Sequence, residues 1–168
     1  MHKLADLAKK SVEEYVRTGK VITPPDPLPP EMTEKAGVFV CIKKGGELRG
    51  CIGTFSPCRE NIASETICNA VSAASRDPRF MSVSADELVG LEYSVDVLTE
   101  PEKVPDSSFL DPAEYGVILQ SGSRKGLLLP ALEGVKTVEE QLRIVRMKAG
   151  IMPHEKVEIF RFRVRRYR

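Results

Sequence analysis

The sequence predicts an α+β protein: a mixed or antiparallel sheet made of hairpins, with helices flanking it. Three observations carry this. Two hairpin signals stand at residues 37–54 and 116–129, each centred on a glycine-bearing turn. Three amphipathic stretches are each closed by Gly or Pro. Strands and helices do not alternate in regular βαβ order, which disfavours a doubly wound parallel sheet.

Residues 3–17 place Leu4, Leu7, Ala8, Val12 and Tyr15 on one helical stripe, with Gly19 as the stop. Residues 23–30 hold five prolines in eight positions, which excludes helix and interior strand and reads as an extended connecting arm. Residues 37–43 and 47–54 form the first hairpin around Gly45-Gly46. Its register pairs 44 with 47, 42 with 49 and 40 with 51. That register puts Phe39, Cys41, Leu48 and Ile52 on the core face, sets Cys41 opposite Gly50, and turns Val40, Ile42, Arg49 and Cys51 to the other face. Ser56-Pro57 reads as an N-cap and first helical residue, with a helix running to about Ser75 and stopped by Asp77-Pro78. Alternation at Leu91, Tyr93, Val95 and Val97 predicts a strand. Gly116–Gln120 and Gly126–Leu129 predict the second hairpin. Thr137-Val138-Glu139-Glu140 is a capping box opening a helix that ends at Gly150. Residues 157–164 read as one closing edge strand.

The 168 residues suit one domain spanning 1–168. A 42% hydrophobic content, 29% charged residues and a formal net charge of +1 describe an ordinary globular chain, with no whole-molecule field for nucleic acid or membrane. No apolar run approaches the roughly 20 residues of a bilayer span. The first residues carry no signal-like apolar segment, so a cytoplasmic location is expected. The cysteines, at 41, 51, 58 and 68, form no Cys-x-x-Cys pair, and the histidines are His2 and His154. All four thiols therefore read as free, and no metal site is expected.

Chemistry concentrates in the run Leu48-Arg49-Gly50-Cys51-Ile52-Gly53-Thr54. Glycines on both sides of a cysteine leave its backbone open to close approach. Arg49, two residues away, and a nearby helix start would both favour a thiolate, so Cys51 is a candidate nucleophile. Such a thiol normally needs a base. His2 falls at the terminus and His154 in a distant loop, and a small thiol packed under the sheet is the competing reading. Ser75-Arg76-Asp77-Pro78-Arg79-Phe80 is a second polar concentration. There Asp77 can cap its own turn, and Arg76 and Arg79 offer forked donors for carboxylate or phosphate. The candidate catalytic set is Cys51, Arg49 and Asp77, and the candidate ligand-binding set is Gly50, Gly53, Thr54 and Arg79. The tail, residues 161–168, carries five arginines. Their alternation with Phe160, Phe162 and Val164 fits an edge strand with one solvated face, and nucleic-acid binding is the lesser reading.

Three segments together, LRGCIGTF at 48–55, AASRDPRF at 73–80 and GLLLP at 126–130, followed by a helix ending Lys148-Ala149-Gly150, resemble the AMMECR-one family, also called AmmeMemoRadiSam system protein A. The resemblance covers nearly the whole chain. It implies two unequal, interlocked subdomains, the smaller within about 80–130. It also implies association with a Memo-like protein related to extradiol dioxygenases and with a radical SAM protein. It brings no settled activity, and the cofactor is left unknown. Leu48 to Gly53 are its signature positions here, with Asp77, Arg79 and Phe80 as the second. The resemblance implies that an aromatic often stands where the helix opening at Thr137 begins, and residues 131–138 here have none. The leading expectation is a binding or accessory component of a modification system with a pocket around Arg49, Cys51, Thr54, Asp77 and Arg79, taking a small or anionic ligand. The alternatives are a thiol-dependent enzyme using Cys51, or a structural role in which Gly50 and Gly53 only permit packing.

Overall fold

A computed structural model describes residues 1–168. The chain divides into two compact units, one made of Met1–Leu98 with Arg165–Arg168 and the other of Thr99–Val164. The smaller unit is not confined to 80–130. Residues before 99 include a strand that pairs into the first sheet, and the helix closing the second unit's core lies beyond 130.

In the first unit, helix α1 (Lys3–Thr18) buries Leu4, Leu7, Ala8 and Val12, the stripe expected from the sequence, and Gly19 closes it in the left-handed conformation. His2 is not frayed. Its Nδ1 accepts from Leu4 N–H, its own N–H donates to Arg168 O, and its ring stacks on Tyr167 at 4.2 Å. After the proline arm come β1 (Val38–Lys44), β2 (Glu47–Gly53), α2 (Ile62–Ser75) and β3 (Leu91–Leu98). The last strand, β8 (Val164–Tyr167), completes a sheet of order β2-β1-β3-β8. Val38, Val40 and Ile42 are fully buried and form the core face with Ile62, Ile67 and Ala70 of α2. On β1 the core face is therefore the one opposite to expectation, whereas Ile52 of β2, paired with Val40, packs against the core as expected.

Helix α2 starts later than expected. Ser56, Pro57 and Cys58 form a loop, and Asn61 is the N-cap, its Oδ1 accepting from Ser64 N–H at 2.8 Å. The loop is held by Glu65, a buried carboxylate that accepts from the N–H groups of Cys58 and Arg59 at 2.8 Å each and from Thr54 Oγ1 at 2.6 Å. Those bonds satisfy the loop's amides from within the helix, so the helix begins where the loop ends.

In the second unit, β4 (Glu102–Val104), β5 (Gly116–Ser121), β6 (Arg124–Leu128) and β7 (Glu158–Phe162) make a sheet of order β4-β7-β5-β6. The second hairpin is tighter than expected, with Ser121 paired to Arg124 across Gly122-Ser123. Helix α3 (Val138–Ala149) opens on the expected Thr137/Glu140 capping box and closes on Gly150. The closing strand expected at 157–164 is two strands. β7 lies inside one sheet and β8 belongs to the other, with the break at Arg163.

Candidate functional site

The signature run lies on β2, an edge strand. Gly45 and Gly46 take positive φ angles of 58° and 82°, as a two-residue hairpin turn requires. Lys44 pairs with Glu47 and Lys43 with Leu48, but Ile42 pairs with Gly50. Arg49 is thus the extra residue of a bulge. One inserted residue moves every later side chain to the opposite face. This overturns the expected register: Cys41 pairs with Cys51, not with Gly50.

The same register explains how β2 meets the second signature segment. Thr54 N–H donates to Val38 O at 3.0 Å, which marks 38/54 as a hydrogen-bonded position. By alternation, 41/51 is a non-hydrogen-bonded pair whose β2 amide groups point away from β1. Cys51 N–H accordingly donates to Asp77 Oδ2 at 2.9 Å, and Arg79 Nη2 donates to Cys51 O at 3.4 Å. Asp77 also accepts from the guanidinium of Arg79 at 2.7 and 2.9 Å and from Arg79 N–H at 3.1 Å. The Asp77–Arg79 pair offers Cys51 the acceptor and donor that a further strand would have offered, and so seals an otherwise open sheet edge. The Arg79 guanidinium and the Cys51 amide hold the Asp77 carboxyl well below the usual carboxylate range.

Arg49 does not approach the thiol as an activating cation. Its guanidinium makes a forked pair with Glu87, at 2.8 and 2.9 Å, and this holds the Glu87 carboxyl down at about 2. Glu87 is held in turn by the capping box with Ser84. Phe80 lies between the two arginines, 5.9 Å from Arg49 and 5.4 Å from Arg79, with both guanidinium groups over its ring. Arg49, Cys51, Asp77 and Arg79 therefore do come together, around Phe80. Glu87 is the member the sequence reading missed; its Ser-x-x-Glu spacing was the available signal.

The thiols argue against a nucleophile at 51. Cys41 and Cys51 face each other as a cross-strand pair of β1 and β2. Cys41 is pushed down by the Cys51 hydrogen bond, while Cys51 is pushed far up by that bond, by burial and by the negative charge at Cys41. His2, the histidine of this unit, is occupied at the start of α1. No group of three or more His, Cys, Asp or Glu is gathered to hold a metal ion.

The remaining predicted site residues lie in close packing contacts or internal hydrogen bonds. A Cβ on Gly50 would lie 2.2 Å from the Ala73 carbonyl oxygen, so this glycine lets α2 press on β2. A Cβ on Gly53 would lie 2.2 Å from the Phe39 ring that covers it. Thr54 faces Glu65 and also accepts from Asn69 Nδ2 at 3.3 Å, away from the Phe80 cluster. The tail arginines are also engaged. Arg161 pairs with Glu102, Arg163 with Glu114, Arg165 with Glu34 and Arg166 with Asp96, and Arg161 and Arg163 both lie over the Tyr115 ring.

These features define an α+β protein of two units whose hallmark is an edge strand sealed by an Asp-Pro-Arg-Phe turn. The AMMECR1 family model matches residues 5–167, and the chain belongs to that family. A Thermotoga maritima protein is 52% identical over 99% of this chain and 98% of its own length. A Clostridium acetobutylicum protein is 52% identical over 96% of this chain, which spans only 35% of that relative. The crystal structure of the uncharacterized protein PH0010 from Pyrococcus horikoshii superposes with a TM-score of 0.90 at 35% identity, over 97% of this chain and 88% of that one. No helix is long and apolar enough to cross a membrane.

Proposed function

We propose that this protein is a binding component of a modification system, acting with a Memo-like protein and a radical SAM protein, and that the Arg49/Phe80/Arg79 cluster is its contact surface. The observation that carries this reading is the division of labour at the signature. The backbone and thiol of Cys51 are spent on internal structure, whereas the Arg79 side chain beside them is 55% exposed and Met81, next after Phe80, is 86% exposed. A rigidly held cation and aromatic next to an exposed methionine suit recognition of an acidic, partly apolar surface. The Clostridium relative supports the reading, since there the homologous stretch is one part of a longer polypeptide. The family resemblance supplies the named partners.

Calorimetric titration with the purified Memo-like and radical SAM proteins of the same organism tests this. Complex formation with at least one, weakened about tenfold or more by Met81→Asp at unchanged thermal stability, is the expected result. Absence of binding to both, or binding indifferent to Met81→Asp, overturns it.

A further inference from the structure

We propose that a groove alongside α2 binds a small organic phosphate, a monoester carried on an apolar body. The groove is a separate feature of the first unit, and the inference goes beyond the binding role above without resting on it. Its volume is about 780 Å³, within the range of small-molecule sites. It lies between the proline-rich arm and one long face of α2, with Ile22, Ile67 and Val71 supplying apolar wall.

Three cations, Lys35, Arg59 and Arg76, face this cavity with a single carboxylate, Glu60. Elsewhere in the chain seven arginines form an ion pair with a carboxylate; none of these three cations does. With three cations and one carboxylate on its walls and none of the three cations in an ion pair, the groove carries positive charge available to an outside anion.

Two of the three sit at one end. Ile62 N–H donates to Glu34 O at 2.8 Å, which ties the segment carrying Lys35 to the first residue of α2. Arg59 precedes that residue by three, and its amide is fixed at 2.8 Å by the buried Glu65 carboxylate. The backbone beneath Arg59 is therefore set before any ligand arrives, and its guanidinium lies 3.3 Å from Cys68 Sγ inside the groove. A fork and an ammonium together match the two charges of a phosphate monoester better than the single charge of a carboxylate. Arg76 lies at the far end of the helix, about 20 Å away, and contributes only to the field that attracts the anion.

Titration calorimetry at low ionic strength with phenyl phosphate, inorganic phosphate, benzoate and phenol tests the proposal. Phenyl phosphate should bind about tenfold or more tighter than each of the other three. Arg59→Gln and Lys35→Gln should each weaken it by about tenfold or more, without changing the thermal midpoint, since both side chains lie at the surface. Bound phenyl phosphate should also slow alkylation of Cys68, a readout independent of either variant. Failure of phenyl phosphate to bind at millimolar concentration, equal affinity for inorganic phosphate or benzoate, or affinity indifferent to both substitutions overturns it.

Discussion

The carboxylate of Asp77 accepts the backbone N–H of Cys51 at 2.9 Å, and this one bond joins the two signature segments of the chain. Asp77 has its side chain 2% exposed, whereas Arg79, which completes the pair, is more than half in solvent. The bond exists because a bulge at Arg49 turns Cys51 into a non-hydrogen-bonded position with its amide facing outward.

Replacing Asp77 with Ala should therefore cost about 2 kcal/mol, the range for losing hydrogen bonds to a charged acceptor, discounted for the solvated arginine. Denaturant unfolding measures the cost. Amide hydrogen exchange gives the specific sign: the Cys51 amide should exchange faster in the variant while amides of α1 keep their protection. Unchanged exchange at Cys51 would show that the edge is sealed by something else.

Acid should unfold the first unit through Asp77 and Glu87. Both carboxyls are held below their ordinary values by guanidinium partners, so each contributes stability that is fully present above the unfolded value. For Glu87 that contribution disappears as pH falls from 4.5 towards about 2. Thermal midpoints measured from pH 7 to pH 2 should fall across this window, and Glu87→Gln should flatten part of the decline. A decline of equal steepness in wild type and Glu87→Gln would refute the assignment.

The two signature glycines should respond differently to a methyl group. Gly50→Ala meets a main-chain oxygen at 2.2 Å and should cost roughly 3 kcal/mol, because a helix backbone has to shift. Gly53→Ala meets the Phe39 ring, which can be replaced. Phe39→Leu should recover stability in the Gly53→Ala background but not in the Gly50→Ala background, as read by a double-mutant cycle.

Cys58, exposed, should be the first thiol alkylated at neutral pH and Cys51 the last, with Cys41→Ala raising the reactivity of Cys51 by removing the thiol whose hydrogen bond pushes it up. A mild disulfide-exchanging oxidant should link Cys41 to Cys51, since a non-hydrogen-bonded antiparallel pair has its Cα atoms about 4.5 Å apart, within bridging range. Peptide mass mapping checks both outcomes. Modification of Cys51 as fast as Cys58 would revive the nucleophile reading.

Local signals were enough to locate α1, α3 and the hairpin turns. The stripe from Leu4 to Val12, the Thr137/Glu140 box and the turns at Gly45-Gly46 and Gly122 act over a few residues, and their physics is complete within them. The family, too, was legible in the spacing of its segments, and the chain does belong to it. The start of α2 was not legible, because Glu65 satisfies the Cys58 and Arg59 amides across the loop, and nothing about Ser56-Pro57 reveals a carboxylate that folds back on it.

The run around Cys51 shows where the division falls. By itself the sequence determined that a thiol flanked by glycines lies on a strand leaving a tight turn, with an arginine close by. Tertiary structure decided which face that thiol takes, which sulfur it meets and what its amide binds. A single bulge residue reverses facing for every β2 side chain after it, and the partners the strand then meets, Glu87, Asp77 and the helix over Gly50, are all distant in sequence. Pairing of Arg49 with Glu87 and of Cys51 with Cys41 belongs to that second set of decisions, as does the exposure of Arg79 and Met81 beside them.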